Sequence, residues 1–151
     1  MHGGKPTTLG AASGAVAGLV AITPAAGFVT PMASIVIGFG GGMVCYGGVL
    51  MKSKFGYDDS LDVVGIHGLG GTYGAIVTGL FASIGAEGLF YGNASQLWIQ
   101  IESCIATWAY CFAVSWILFK LIDKFYGLRP SEEEEVAGMD VSDHSEAGYQ
   151  I

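Results

Sequence analysis

The chain has 151 residues, of which 52% are hydrophobic and 13% charged, and its mean hydropathy is +0.54. This balance is typical of a protein dissolved in lipid and argues against a water-soluble domain. The net charge of −7 comes entirely from the tail, because residues 130–151 hold seven acids and no Lys or Arg. The rest of the chain is neutral, and no basic run indicates a nucleic-acid partner.

The first apolar segment covers residues 8–22, after a short loop of residues 1–7 in which we recognise no signal peptide. Gly10, Gly14 and Gly18 recur every four residues and therefore share one face of a helix. A stripe of small residues lets a second helix backbone approach closely within a membrane. We expect Gly14 and Gly18 to serve helix packing.

Three further apolar segments follow, at residues 33–50, 61–84 and 96–119. They are separated by a Pro- and Gly-containing turn, a loop with two lysines and a glycine-rich loop. About 20 residues cross a ~30 Å hydrocarbon core at ~1.5 Å per residue. The sequence predicts an all-α membrane protein with about four transmembrane helices, bundled over residues 8–124.

The basic residues predict the orientation, since Lys and Arg near span ends favour the cytoplasm. All six fall on one side of the predicted bundle: Lys5, Lys52, Lys54, Lys120, Lys124 and Arg129. We expect a multi-pass protein of the cell membrane with the first and last residues of this chain in the cytoplasm. Residues 125–151 form an acidic cytoplasmic tail, for which composition alone permits either disorder or a regulatory structure.

His67 lies a few residues inside the third apolar segment, where an ionisable side chain is costly and therefore a functional candidate. An α-helical period places it on one face with Gly71, Gly74 and Thr78, so we expect Gly71 and Gly74 to pack against a helix or narrow lumen. Burial there favours the neutral imidazole, with one donor and one acceptor nitrogen. The alternative is a histidine that only links two helices by a hydrogen bond.

The carboxylates Asp58, Asp59 and Asp62 precede this segment, where they can cap free N–H groups and complement the helix dipole. Glu102 lies near the outer interface, and we favour contact with lipid headgroups for it. The three cysteines lie in apolar runs without metal-type spacing and are read as buried thiols. No nucleophile, acid/base pair or ligand cluster is present, so we predict no enzyme activity, cofactor or metal.

Three motifs in order resemble the ammonium transporter (Amt/Mep/Rh) family. Residues 9–27 read LGAxSGxVAGLVxITPAxG, residues 59–79 read DSLDxxGxHGxGGxxGAxxTG, and residues 127–140 read GLRxSxExExxGMD. The resemblance covers nearly the whole chain.

Members of that family are homotrimers of usually eleven-span subunits, each with a narrow hydrophobic pore and two adjacent histidines. By resemblance this chain is a partial fold, the last four spans plus the tail, lacking the N-terminal spans. His67 matches the second histidine and Val63 a pore-lining position. Asp62 matches the acid at the cytoplasmic start of that span, and with Asp59 it is assigned a structural or pore-exit role.

The resemblance implies that ammonium gives up its proton and passes as ammonia beside neutral imidazoles. The implied partners are ammonium, the other subunits of a homotrimer, membrane lipid and a PII-type signal protein at the cytoplasmic face. Ser142 stands where plant relatives carry a phosphorylatable threonine, and Ser145 follows His144 where the family usually has glycine.

Two functional hypotheses follow from these patterns. The first is the C-terminal portion of an ammonium transporter that does not form a complete pore by itself. The alternative is a truncated, non-conducting membrane protein that assembles with or modulates full-length subunits.

Overall fold

The computed structural model describes residues 5–148. The outermost residues of the predicted N-terminal loop and tail, 1–4 and 149–151, lie outside this range. The described residues form helices joined by turns and loops, with no strand among them. The chain divides into two compact units, one up to Thr107 and one from Trp108 onward.

The first two helices begin at threonine caps. Helix α1, Thr8–Ile22, follows Thr7, whose hydroxyl accepts a hydrogen bond from the Gly10 N–H at 3.0 Å. A 3₁₀ turn, Thr23–Ala25, leads towards helix α2, Pro31–Phe55. Proline suits the first position of α2, where the missing N–H would have had no helical partner. The helix ends at Gly56, whose φ of 67° is the left-handed conformation that glycine adopts without steric cost.

The third apolar segment is not a uniform α-helix. Its helical part begins at Val63 and continues through a π-helical turn, Val64–Leu69, into helix α3, Gly70–Phe81. The helix is thus shorter at both ends than the predicted segment 61–84, because Asp62 has a positive φ and Ala82 is extended. A π turn is wider than an α turn and is frequent at functional sites.

Helix α4, Ala94–Tyr126, follows a loop with a second 3₁₀ turn, Leu89–Tyr91. Among the described residues, three helical stretches are long and apolar enough to cross a membrane: Thr8–Ala25, Pro31–Phe55 and Ala94–Tyr126. The third predicted span is not one of them, because the π turn leaves α3 with 12 residues. The six residues of the π turn and those of α3 are nevertheless consecutive. The part from Trp108 onward continues α4 and adds two short helices, α5 (Glu132–Ala137) and α6 (Met139–His144).

The core of the first unit is built mainly from small side chains. One buried cluster joins α1, α2, α3 and the turn between α1 and α2: Ala21, Ala25, Val29, Ala33, Ile37 and Val77. A second joins α1, α2 and the π turn through Ala17, Cys45 and Ile66. Small residues at helix contacts allow the backbones to approach closely, which is how helices pack when water does not drive them together.

The backbones of α2 and the π turn approach closely at Gly48 and Gly65. A methyl group built on Gly48 would lie 2.8 Å from the Gly65 Cα atom, and one on Gly65 would lie 2.8 Å from the Val49 nitrogen. Real side chains do not fit at such distances without a shift of the backbone. The contact therefore requires glycine on both sides.

The four glycines predicted to serve packing lie in different surroundings. Gly74 backs onto α1, where an added methyl group would collide with the Ala21 carbonyl oxygen. A methyl group on Gly18 would lie 4.0 Å from a backbone oxygen of α2. Added methyl groups at Gly14 and Gly71 would meet no atom within 4 Å. Packing roles for these last two remain predictions.

Replacing Gly48 by Ala should lower the free energy of unfolding by about 1–3 kcal/mol, because the added methyl group must displace the π turn. Gly47→Ala is the matched control: it lies in the same helix, gains the same helix propensity and meets no atom within 4 Å. Thermal unfolding in detergent, followed by circular dichroism, compares the two variants. Equal melting temperatures would contradict the Gly48–Gly65 contact.

Candidate functional site

The π turn presents its side chains in two directions. Gly65 and Ile66 are buried against α2, whereas His67 is exposed in this chain. Val63, immediately before the turn, is also exposed, at 49%. The structure thus places Val63 and His67 on the uncovered side of the segment, while the backbone behind them is held by α2.

The four residues predicted to share one face, His67, Gly71, Gly74 and Thr78, lie in different surroundings, and Gly71 is half-buried. Gly74 and Thr78 are buried, and Thr78 donates its hydroxyl to the Gly74 carbonyl at 2.8 Å, whereas His67 is exposed. The prediction assumed one α-helical period from residue 67 to residue 78. The π turn, which contains His67, breaks that period, so His67 does not continue the stripe formed by the residues of α3.

A carbonyl of the π turn has a partner outside its own helix. The Cys45 thiol of α2 donates to the Ile66 carbonyl oxygen, with an S···O distance of 3.5 Å. Cys45 is a buried free thiol, as the sequence analysis expected, but Cys104 is half-buried and Cys111 exposed. Both lie on α4, which has no buried residue in this structure.

Asp59 caps the start of the helical segment. One carboxylate oxygen accepts the Val63 N–H and the other accepts the Val64 N–H, both at 2.8 Å. Two otherwise unpaired N–H groups at a helix start are thereby satisfied by a negative charge, which also complements the helix dipole.

Asp62 forms an ion pair with Lys52 near the end of α2. Its φ of 57° lies in the left-handed region, which aspartate tolerates better than most residues. The Lys52 ammonium also donates to the Asp59 backbone carbonyl at 2.9 Å. The role of Lys52 was not predicted from the sequence, although a lysine close to three aspartates indicates an ion pair.

A cavity of about 330 Å³ lies between α1, α2 and the start of the π turn. Gly10 and Gly14 line it, so the lack of side chains on α1 contributes to the open space. Its wall is mostly apolar, and Asp62 is the charged member among the described lining residues. Gly14 thus lies on the cavity wall, which explains why a methyl group there would meet no atom.

The acidic tail has local order. Ser131 and Glu134 form a reciprocal capping box for α5: the Ser131 N–H donates to the Glu134 carboxylate at 2.8 Å, and the Glu134 N–H donates to the Ser131 hydroxyl at 3.3 Å. Arg129 pairs with Glu135 at 2.7 Å. The pattern S-x-x-E was visible in the sequence and could have predicted this helix start.

Two carboxylates in the tail are stabilised in their charged form. The Ser131 backbone N–H, followed by the Ser131 hydroxyl, lowers the pKa of Glu134. The Gly148 N–H, at 2.9 Å, and then the Val141 N–H lower the pKa of Asp140. Hydrogen bonds to a carboxylate favour its ionised state.

Ser142, the predicted regulatory residue, lies exposed within α6. That helix ends at Ser145, whose φ of 54° lies in the left-handed region. The glycine usual at this position in the family has no steric cost in that conformation. The turn therefore forms with serine, at a conformational cost that glycine would avoid.

Chemically, the site offers an imidazole in an apolar helical segment. A charged cluster lies one to two turns away, at the end for which the basic residues predict the cytoplasm. Among residues 5–148, no group of three or more His, Cys, Asp or Glu side chains could hold a metal ion. An uncharged imidazole can donate one hydrogen bond and accept another, which suits a small polar solute or a proton. These features define an all-α membrane protein with one polar site on an otherwise apolar helix.

Comparison with known proteins identifies the family. Residues 1–149 match the family model described as Ammonium Transporter Family. The ammonium transporter of Bacillus subtilis (strain 168) is 58% identical over an alignment of 152 residues that covers 97% of this chain and 38% of that protein. The ammonium transporter of Aquifex aeolicus (strain VF5) is 50% identical over 155 residues, covering 100% of this chain and 36% of that protein.

Solved structures agree with this match. Saccharomyces cerevisiae Mep2 is similar with a TM-score of 0.78 and 37% identity over 86% of this chain and 32% of that one. Candida albicans Mep2 gives a TM-score of 0.79 and 36% identity over 88% of this chain and 32% of that one.

The chain belongs to the Ammonium Transporter Family, a family of transporters and not of enzymes. It spans well under half the length of these relatives. Its fold is part of the ammonium transporter fold. The pore roles of His67 and Val63 and the pore-exit roles of Asp59 and Asp62 remain predictions.

Tail order should depend on pH with a defined sign. The pKa values of Glu134 and Asp140 are lowered in the folded tail, so both carboxylates stabilise that fold fully above their ordinary pKa of about 4. This stabilisation is lost as the pH falls through the lowered pKa values. Solution NMR of the Ser131 and Gly148 amides, which donate to the Glu134 and Asp140 carboxylates, should show both shifting as the pH falls through these lowered pKa values. In Glu134→Gln the pH-dependent shift of the Ser131 amide should disappear, and that of the Gly148 amide should persist. Shifts of both amides centred at the ordinary carboxylate pKa would contradict this assignment.

Proposed function

We propose that this chain is part of an ammonium/ammonia transporter and that His67 lines its conduction path. The observation that carries the proposal is the orientation of the π turn. Its backbone is buried against α2 at Gly65 and Ile66, while the His67 imidazole is exposed on the other side. An ionisable group kept in an apolar segment, yet not used to join this chain's own helices, is suited to a transported solute.

The alternative role for His67, a hydrogen bond between two helices of this chain, has no support among the described contacts. The contacts across α2 are made by Gly48, Gly65 and Cys45. The imidazole is therefore available to helices from the rest of the transporter or to a solute.

In the proposed mechanism, the acceptor nitrogen of the neutral imidazole takes the proton that ammonium releases and passes it on, and ammonia crosses beside the imidazole. The imidazole accepts a hydrogen bond from ammonia at one nitrogen and donates at the other. Val63, half-exposed before the π turn, supplies an apolar wall. Potassium cannot lose a proton, so a dry path with these groups excludes it by chemistry and not by size.

The chain is oriented, in this proposal, with its N-terminal and tail sides in the cytoplasm of a multi-pass cell-membrane protein. The support is the placement of Lys and Arg on one side of the predicted helices. Assembly as a homotrimer, and docking of a PII-type signal protein on the cytoplasmic face near Asp59, Asp62 and the tail, complete the proposal. Modification of Ser142 would act on α6, where its hydroxyl is exposed.

The proposal can be tested in a chimaera in which this chain replaces the matching portion, 38%, of the Bacillus subtilis ammonium transporter. We expect His67→Ala to reduce uptake of radiolabelled methylammonium on the order of 100-fold, the lower end of what a positioned proton-transfer group contributes. His144→Ala is the control, since it removes an imidazole outside the π turn.

Both variants are compared at equal amounts of protein in the membrane. Uptake by His67→Ala equal to that of the unaltered chimaera would show that the imidazole does not take part. If neither the unaltered chimaera nor either variant takes up methylammonium, the transport role of the chain itself is excluded.

A further inference from the structure

Three residues at the start of the third segment form a cluster that we call the inner clamp: Lys52, Asp59 and Asp62. The Lys52 ammonium donates to the Asp59 carbonyl at 2.9 Å and pairs with the Asp62 carboxylate. The Lys52 and Asp62 side chains are 29% and 27% exposed, so water reaches the pair only in part. Partial shielding makes such a pair stronger than one at an open surface.

Asp59 connects the clamp to the helical segment. Its carbonyl is held by Lys52, while its carboxylate holds the N–H groups of Val63 and Val64. The ammonium of α2 is thus two hydrogen bonds away from the backbone that opens the π turn. A displacement of Lys52 moves the cap.

The π turn depends on contacts outside its own helix. Such turns have poorer internal packing than an α-helix and persist where the surroundings determine them. Here Gly65 rests on Gly48, and the Ile66 carbonyl accepts from Cys45. The inner clamp is the third contact that holds the turn, and it acts on Val63 and Val64, four and three residues before His67.

The backbone at Asp62 adds a requirement for the clamp. A left-handed conformation in a non-glycine residue carries a conformational cost. The ion pair with Lys52 and the cap by Asp59 offset that cost in the folded chain. Without them the loop is free to relax towards an ordinary helix start.

We propose that Lys52 is a positioning residue, which acts through Asp59 and Asp62 to fix the π turn and hence the direction of the His67 imidazole. The inference rests on the proposed function for its link to transport. Its structural part stands on the inner clamp alone.

The first test measures backbone protection in the chimaera by hydrogen–deuterium exchange of peptides covering residues 60–69. Lys52→Met should speed exchange at the Val63 and Val64 amides about tenfold, as expected for loss of a hydrogen bond to a charged group. Lys54→Met is the matched control, because it removes an equal charge two residues away. Lys52→Arg should restore slow exchange, and α1 peptides should not change in any variant.

The second test measures transport in the same proteins. Lys52→Met should reduce the rate of methylammonium uptake about tenfold, the same factor by which it speeds exchange at Val63 and Val64. Lys54→Met and Lys52→Arg should take up methylammonium at nearly the rate of the unaltered chimaera. Asp62→Asn, which keeps a residue tolerant of the left-handed conformation but removes the charge, should behave as Lys52→Met does.

The outcomes separate the two proposals. Equal exchange in Lys52→Met and Lys54→Met overturns the inference. Faster exchange in Lys52→Met with unchanged uptake also overturns it, since the clamp would then be structural only. Failure of the proposed function appears elsewhere, as normal uptake by His67→Ala.

Discussion

The structure depends on the contact between the backbones of α2 and the π turn at Gly48 and Gly65. In a membrane, helices gain little from leaving water, so van der Waals contact has to hold them together, and that contact is greatest when no side chain separates the backbones. The core beside it is made of alanine, cysteine and a few branched residues, which fits the same principle. A methyl group at either glycine would have to push the two elements apart.

This contact gives the segment two sides with different tasks. The side with Gly65 and Ile66 serves packing, and the opposite side carries Val63 and His67. At the start of the segment, the Lys52 ammonium pairs with Asp62, and the Asp59 carboxylate accepts the N–H groups of Val63 and Val64. The charged groups are thus concentrated at this end of the segment, and the imidazole of His67 lies inside it.

Much of this was predictable from the sequence, for identifiable reasons. Apolar runs between glycine- and lysine-containing loops predicted the helices, carboxylates before an apolar run predicted capping, and an ionisable residue within the run indicated His67. The π turn was not predictable, because contacts with Gly48 and Cys45, distant in sequence, sustain it against the α-helical period. Which glycines touch another helix was only partly predictable: of those chosen by spacing, Gly74 meets α1, whereas methyl groups at Gly14 and Gly71 would meet no atom. The contact at Gly48 and Gly65 was not predicted, since the crossing point depends on the fold.

The most direct measurement for this account is conduction by purified chimaera in proteoliposomes, read as the change of internal pH after an ammonium gradient is applied. If the glycine contact places His67 for conduction, Gly65→Ala should abolish the ammonium-dependent signal, and Gly47→Ala, at equal incorporation, should retain it. A Gly65→Ala protein that conducts like the unaltered chimaera would contradict the account.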